Sequence, residues 1–174
     1  MSNSPDGYKS FSVLDFYQAE KLNLIPLIHG DKKPVGEWKE YQQRKITKEE
    51  INTFFLQGTQ HNIGVVCGAI SDNLFVLDFD TEEIFHRFFT KTDGLTLVKT
   101  GRGYHVFFKA ERPIKTLKML DSEGREIATL KGEGSYVVGP PSLHPSGACY
   151  EFIQRGEISR LPGDVRQQVT SSHH

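Results

Sequence analysis

Residues 74–109 read LFVLDFDTEEIFHRFFTKTDGLTLVKTGRGYHVFFK, and the fold turns on how this stretch is parsed. Leu74 to Leu77 is an unbroken apolar run, which suits a strand covered on both faces. It ends in the acidic Asp78-Phe79-Asp80. Thr81 then opens a helix, because its hydroxyl can accept from the free N–H groups of a first turn. Glu82 and Glu83 complement the helix dipole there. Ile84, Phe85, Phe88 and Phe89 recur at helical spacing and form the buried stripe. After Gly94 the period becomes that of strands. Leu95 to Lys99 and Tyr104 to Lys109 flank Gly101-Arg102-Gly103, the pattern of a hairpin.

Upstream, Ser12 opens a predicted helix with Val13, Phe16, Tyr17 and Ala19 on its buried side. Leu24-Ile25-Pro26-Leu27-Ile28 reads as a strand, and Pro26, with no N–H for a ladder, assigns it to an edge. Thr47 and Glu50 have capping-box spacing ahead of Ile51, Phe54 and Phe55, so a helix is predicted over 48–57 with Gly58 as its stop. Ile63 to Cys67 reads as a buried strand, joined to Leu74 by the turn residues Ser71-Asp72-Asn73. Downstream, Ile127 to Lys131 and Tyr136 to Val138 flank Gly132-Glu133-Gly134 and suggest a second hairpin. Gly139-Pro140-Pro141 ends it, and Tyr150 to Ile153 reads as a last strand. Helices gather in the first half and hairpins in the second, which points to an α+β fold. A single domain over 1–165 is expected. Residues 166–174 read as a loose polar tail, whose Ser171-Ser172-His173-His174 has the look of a cloning remnant.

The 174 residues are 37% hydrophobic and 25% charged, which supplies a core and argues against a disordered chain. Lys and Arg number 21 against 22 Asp and Glu, a net charge of -1, so bulk polycation behaviour is excluded. One stretch departs from neutrality. Lys99, Arg102, Lys109, Arg112, Lys115 and Lys118 face Glu111 alone. They read either as a solvated sheet edge or as a surface for phosphates. No apolar run approaches the roughly 20 residues of a membrane helix. Asp6, Lys9, Asp15 and Glu20 are wrong for a secretory leader. Cys67 and Cys149 form no CxxC pair and no disulfide framework, so a reducing cytoplasm is the expected setting.

Three constellations carry chemistry. Asp78 and Asp80 alternate on one side of a strand end. Two carboxylates there repel unless a cation lies between them, and hard oxygen ligands favour magnesium or manganese. The bland alternative is a helix cap and a local hydrogen bond. Thr100-Gly101-Arg102-Gly103-Tyr104-His105 combines glycines that let backbone N–H groups near an anion with a guanidinium and an imidazole. Its alternative is an ordinary hairpin turn. Lys131-Gly132-Glu133-Gly134-Ser135-Tyr136 runs into Pro140-Pro141-Ser142-Leu143-His144-Pro145-Ser146-Gly147, a stiff loop that can fix Ser142 and His144, or simply a rigid turn.

In this order the three resemble the bifunctional primase–polymerase (prim-pol) domain of the archaeo-eukaryotic primase superfamily, from about Leu22 to Phe152. Lys33-Pro34, Trp38 and Asn62-Ile63-Gly64-Val65-Val66-Cys67-Gly68 belong to the match, with Trp38 also read as a core anchor. The resemblance implies an RRM-like, mostly antiparallel sheet packed with helices, plus an N-terminal α/β module and an active site between them. It implies Asp78 and Asp80 as ligands of Mg2+ or Mn2+ in a two-metal site, with Asp78, Asp80 and His105 catalytic. Thr100, Gly101, Arg102, Gly103, His105, Lys131, Ser142 and His144 would bind the nucleotide. The family's third motif is a carboxylate on a later strand. Thr129 occupies that position here, and Glu126 or Glu133 could serve only through a bulge or the flexible glycines.

The function so implied is metal-dependent, template-directed nucleotidyl transfer, in primer synthesis or extension, for the replication of DNA such as that of a plasmid, phage or mobile element. The partners implied are a single-stranded template or primer-template, dNTPs or NTPs, and a C-terminal helical primase or helicase domain. The basic stretch would hold the template. Two other readings remain: a catalytically weak nucleotide or nucleic-acid binding module lacking the third carboxylate, and a metal-dependent phosphoesterase.

Overall fold

The computed structural model describes residues 13–58 and 60–163; the predicted helix start at Ser12 and the predicted tail at 166–174 lie outside them. The helices are α1 (13–19), α2 (Lys48–Ile51) and α3 (Glu82–Phe88). In chain order the strands are β1 (Asn23–Leu27), β2 (Asn62–Val66), β3 (Leu74–Phe79), β4 (Thr96–Lys99), β5 (Tyr104–Ala110), β6 (Leu117–Leu120), β7 (Glu126–Lys131), β8 (Tyr136–Gly139), β9 (Glu151–Gln154) and β10 (Arg160–Leu161). They form a three-stranded sheet in the order β1-β2-β8 and a seven-stranded sheet in the order β6-β7-β3-β5-β4-β9, with β10 added to β5. Every pairing between these strands is antiparallel except that of β10 with β5, so the fold is α+β with mostly antiparallel sheets.

Local chemistry sets the helices. Thr47 Oγ1 accepts from Glu50 N at 3.1 Å while a Glu50 carboxylate oxygen accepts from Thr47 N at 3.0 Å, the reciprocal cap predicted for α2. Such caps contribute about 1 kcal/mol. The predicted helix to 57 persists, but its second half, Asn52–Leu56, widens into a π-type turn. Thr81 caps α3 through Ile84 N at 3.2 Å. On α1, Val13, Leu14 and Tyr17 are buried and Phe16 is half-buried, whereas Ala19 is exposed. Pro26 lies on an edge as expected, since β1 pairs only with β2 inside its sheet.

One expectation is overturned. Residues 127–138 do not form a hairpin: β7 pairs with β3 and β6, whereas β8 crosses to β2 in the other sheet. Two separate cores claim the two strands. Ala128 and Leu130 enter the core beneath α3, and Val137 and Val138 enter the core of the small sheet. The glycines at 132–134 therefore serve a crossover. Likewise the Asp72-Asn73 turn, with φ of 59° and 63°, carries the chain from one sheet to the other. Strands β6 and β10 were not foreseen.

The larger sheet is covered on both faces. Phe75, Leu77 and Phe79 of β3 pack with Phe85 and Phe88 of α3, Phe79 lying 5.5 Å from each ring between centroids. Leu74 and Val76, with Phe107 of β5, face the opposite way, against β1, β2 and α1. This apolar contact between the sheets gives way to polar residues at one end of β3.

Candidate active site

Alternation decides what enters that end. Since Phe75, Leu77 and Phe79 point under α3, Asp78 points toward the small sheet. Val106 and Phe108 leave His105 on the same side, and Ala128 and Leu130 leave Thr129 and Lys131 there. The register then sets Asp78 directly between His105 on β5 and Thr129 on β7. His105 Nε2 lies 3.3 Å from Asp78 Oδ1. Burial pushes the Asp78 carboxyl upward, but the His105 hydrogen bond and the positive charges of His105, Lys131 and Lys32 outweigh it and hold the carboxyl below its ordinary range. The other ring nitrogen, His105 Nδ1, is buried with no partner among the described residues.

Asp78, His105 and Lys131, but not Thr129, line a cavity of about 340 Å³, together with Lys32, Trp38, Tyr136 and Tyr150. Trp38 is half-buried and meets Tyr136 edge-on at 5.1 Å, so it both anchors the core and walls the cavity. Tyr136 Oη donates to the Lys32 carbonyl at 2.6 Å. Tyr136 ends the third constellation read in the sequence, although no role was given to it there; Lys32 and Tyr150 carry no spacing or motif signal that would have marked them in the sequence.

The remaining predicted residues divide. Gly103 presses against the end of β3, where a Cβ would collide with the Phe79 carbonyl oxygen. Thr100 closes this turn, its hydroxyl accepting from Gly103 N at 3.2 Å. Arg102 is exposed. His144 sits over Gly101, where a Cβ would come within 2.8 Å of the imidazole. His144 Nδ1 accepts from Ser146 N at 3.0 Å, which leaves Nε2 to carry the proton of the neutral ring. Burial and the charges of Lys32 and Arg102 lower its pKa. Tyr150 lies between the imidazoles, 6.3 Å from His105 and 5.5 Å from His144. Asp80, one residue past β3, is exposed and does not line the cavity. Ser142 has a different job from the one expected. It is buried, and its hydroxyl accepts from Ile63 N at 2.7 Å and is spent pinning the 139–143 loop to β2.

Neither alternative carboxylate lies where a ligand was needed by simple strand geometry. Glu133 turns away to accept from Ala69 N at 2.8 Å. At Glu126 the β6–β7 register slips, pairing Leu120 with Glu126 although Met119 pairs with Ala128. The bulge brings Glu126 to the side of Thr129, whose hydroxyl donates to it at 3.2 Å. Among the described residues no three His, Cys, Asp or Glu side chains group as a metal-binding set. Magnesium, however, commonly takes one or two carboxylates plus substrate phosphates and waters. Asp78, the one carboxylate in the cavity wall among the described residues, makes no cage by itself, and a donor set this small suits such an ion only together with substrate phosphates and waters.

The basic stretch does not form one surface. Lys109 is buried against Glu20 and Asp72, Lys99 lies 3.7 Å from Glu82, and Lys118 lies 3.9 Å from Glu126. Arg102, Arg112 and Lys115 remain exposed. No helix among the described residues is long and apolar enough to cross a membrane. A family model described as "Bifunctional DNA primase/polymerase, N-terminal" (Prim-Pol) matches residues 14–164. No curated protein matches the chain.

Proposed function

Because this chain belongs to the Prim-Pol family, whose activity is of the nucleotidyltransferase type, we propose that it is a primase–polymerase catalytic domain that performs template-directed nucleotidyl transfer in DNA replication. The observation that carries this reading is the convergence of Asp78, His105 and Lys131, from three different strands, with Lys32 from a distant loop at one cavity. A carboxylate held ionised beside two lysines is the charge pattern a metal-bound triphosphate needs.

In this reading Asp78 and Asp80 hold Mg2+ or Mn2+, two ions in the full complex, which would supply charge neutralisation at the phosphates and a lowered pKa at the attacking 3′-hydroxyl. Lys131 and Lys32 take phosphate charge. His105 orients Asp78 through Nε2, and His144 Nε2–H and Arg102 lie at the glycine turn to receive the distal phosphates. Trp38 and Tyr136 close the cavity with aromatic surface on which a base can stack. The strand order β7-β3-β5-β4, with α3 between β3 and β4 in sequence, supports an RRM-like sheet for this domain. The substrates are dNTPs or NTPs on a single-stranded template or primer-template in the cytoplasm, and a C-terminal helical primase or helicase segment is the partner we assign.

The test mixes the protein with labelled nucleotides, a single-stranded template and manganese, with and without an annealed primer. Incorporation that disappears in Asp78→Ala is the expected result. Release of label from preformed DNA without synthesis would replace this reading with a phosphoesterase. Thr129 opposite Asp78 favours one second reading, a module that binds nucleotide without turnover. Saturable nucleotide binding with no incorporation at any metal concentration would select it.

A further inference from the structure

Five tyrosines lie among the described residues, and four of their hydroxyls donate within the protein: Tyr17 to the Pro140 carbonyl, Tyr41 to Glu50, Tyr104 to Glu82 and Tyr136 to the Lys32 carbonyl. Tyr150 is the exception. It is 3% exposed, lines the 340 Å³ cavity, and its hydroxyl bonds to no described residue. Its ring is fixed between His105 and His144, which leaves the hydroxyl little freedom to find a partner elsewhere. The ring is buried and the hydroxyl is left to the cavity, where a ligand atom can meet it.

We propose that the Tyr150 hydroxyl is a hydrogen-bond donor to a phosphate oxygen of the nucleotide triphosphate held in this cavity. The proposal rests on the nucleotidyl-transfer reading above. The ligand atom must be an acceptor, because the phenol keeps its proton: burial and the nearby Asp78 charge push it up to about 12. It belongs to a phosphate because the surrounding groups, Lys32, Lys131 and the two imidazoles, are cationic or donating, with Asp78 the one carboxylate in the cavity wall. A neutral donor can stand beside Asp78 without competing for its cation, as a lysine there would.

Tyr150→Phe removes the hydroxyl and keeps the ring. Calorimetric titration with magnesium tripolyphosphate, magnesium dNTP and a short single-stranded oligonucleotide gives the three affinities, and thermal unfolding gives the stability. The expected variant binds tripolyphosphate and dNTP about three- to tenfold more weakly, the size of one neutral hydrogen bond, with oligonucleotide affinity unchanged. Its KM for dNTP rises in step while kcat holds. Its melting temperature stays level, since no hydrogen bond to a described residue is lost with the hydroxyl. Unchanged tripolyphosphate affinity, a loss confined to the oligonucleotide, or a variant that fails to fold would each overturn the proposal. Absence of any tripolyphosphate or dNTP binding by the unaltered chain would overturn the nucleotide reading itself, and the assignment of Tyr150 with it.

Discussion

The β3–β5 strand pair carries a charged cluster at each end. At the Leu74 end, Lys109 Nζ lies 3.2 Å from Asp72, 3.7 Å from Glu20 and 2.8 Å from the Glu20 carbonyl. Arg160 completes the set, 2.6 Å from Asp72 and 2.6 Å from the Ala110 carbonyl. Each charge meets an opposite charge from this chain, and the cluster ties α1, the 71–73 turn and β10 together. At the other end, Asp78 has His105, but among the described residues His105 Nδ1 is buried without a partner, the Tyr150 hydroxyl opens on the cavity, and neither Lys32 nor Lys131 forms an ion pair. The Lys109 end borders the larger cavity, about 410 Å³ against 340 Å³. Cavity size therefore does not locate the site. Incomplete compensation does, because charges that the chain leaves open are the ones a ligand can complete.

The sharpest break of this contrast exchanges the two consequences. Asp78→Ala should lower nucleotide incorporation at least ~10³-fold, about 4 kcal/mol of transition-state stabilisation, with a small change in melting temperature. Lys109→Met should do the reverse. It leaves Glu20 and Asp72 facing each other without their cation, and denaturant unfolding should show a loss of about 2–3 kcal/mol. That is below the cost of breaking a fully buried pair because the Asp72 side chain is 35% exposed. Turnover per folded molecule should not change. A Lys109→Met protein of full stability and no activity would move the site to the wrong end of the strands.

What could be read in the sequence was what short-range chemistry decides. The Thr81 and Thr47 caps, the phenylalanine stripe of α3 and the β4–β5 hairpin depend on residues within a few positions of one another, and all four stand. The opposition of Asp78 and Thr129 was also within reach, because the family resemblance aligned Thr129 with the third carboxylate position. Glycines at 132–134 looked like a hairpin turn, since nothing local says that Val137 will be claimed by a different core from Leu130. Lys109 read as part of a solvated sheet edge or a phosphate surface, since its partner Glu20 is 89 residues away. Tyr150 had no visible role because an unmet hydrogen bond is a property of the folded surroundings.

Thr129→Asp sharpens the comparison at the open end. It sets a third carboxylate opposite Asp78 and next to Glu126, where like charges repel by up to about 1 kcal/mol. Without divalent ions the variant should melt below the unaltered protein. Millimolar manganese should restore it without any nucleotide, by binding only the folded form. Incorporation should be preserved or raised. A stability loss indifferent to manganese would show that position 129 does not face the acidic pair.

The smallest expected effect separates the clusters by pH. Both Asp72 and Asp78 have pKa values held below the ordinary 3.8. At each, burial acts to raise the value and is outweighed, at Asp72 by Lys109 and Arg160, at Asp78 by the His105 hydrogen bond and the His105, Lys131 and Lys32 charges. A depressed carboxyl binds its proton less readily folded than unfolded, so its contribution is in place above about pH 4 and is lost as pH falls toward the folded value. Unfolding free energy measured from about pH 5 to pH 2.5 should therefore fall, and either Asp72→Asn or Asp78→Asn should flatten the slope. Saturating magnesium tripolyphosphate then distinguishes the ends. A bound cation lowers the Asp78 pKa further, so it should steepen the acid loss in the unaltered protein and in Asp72→Asn but not in Asp78→Asn. Equal steepening in both variants would mean that the anion binds elsewhere, and that the open charges at Asp78 are not completed by it.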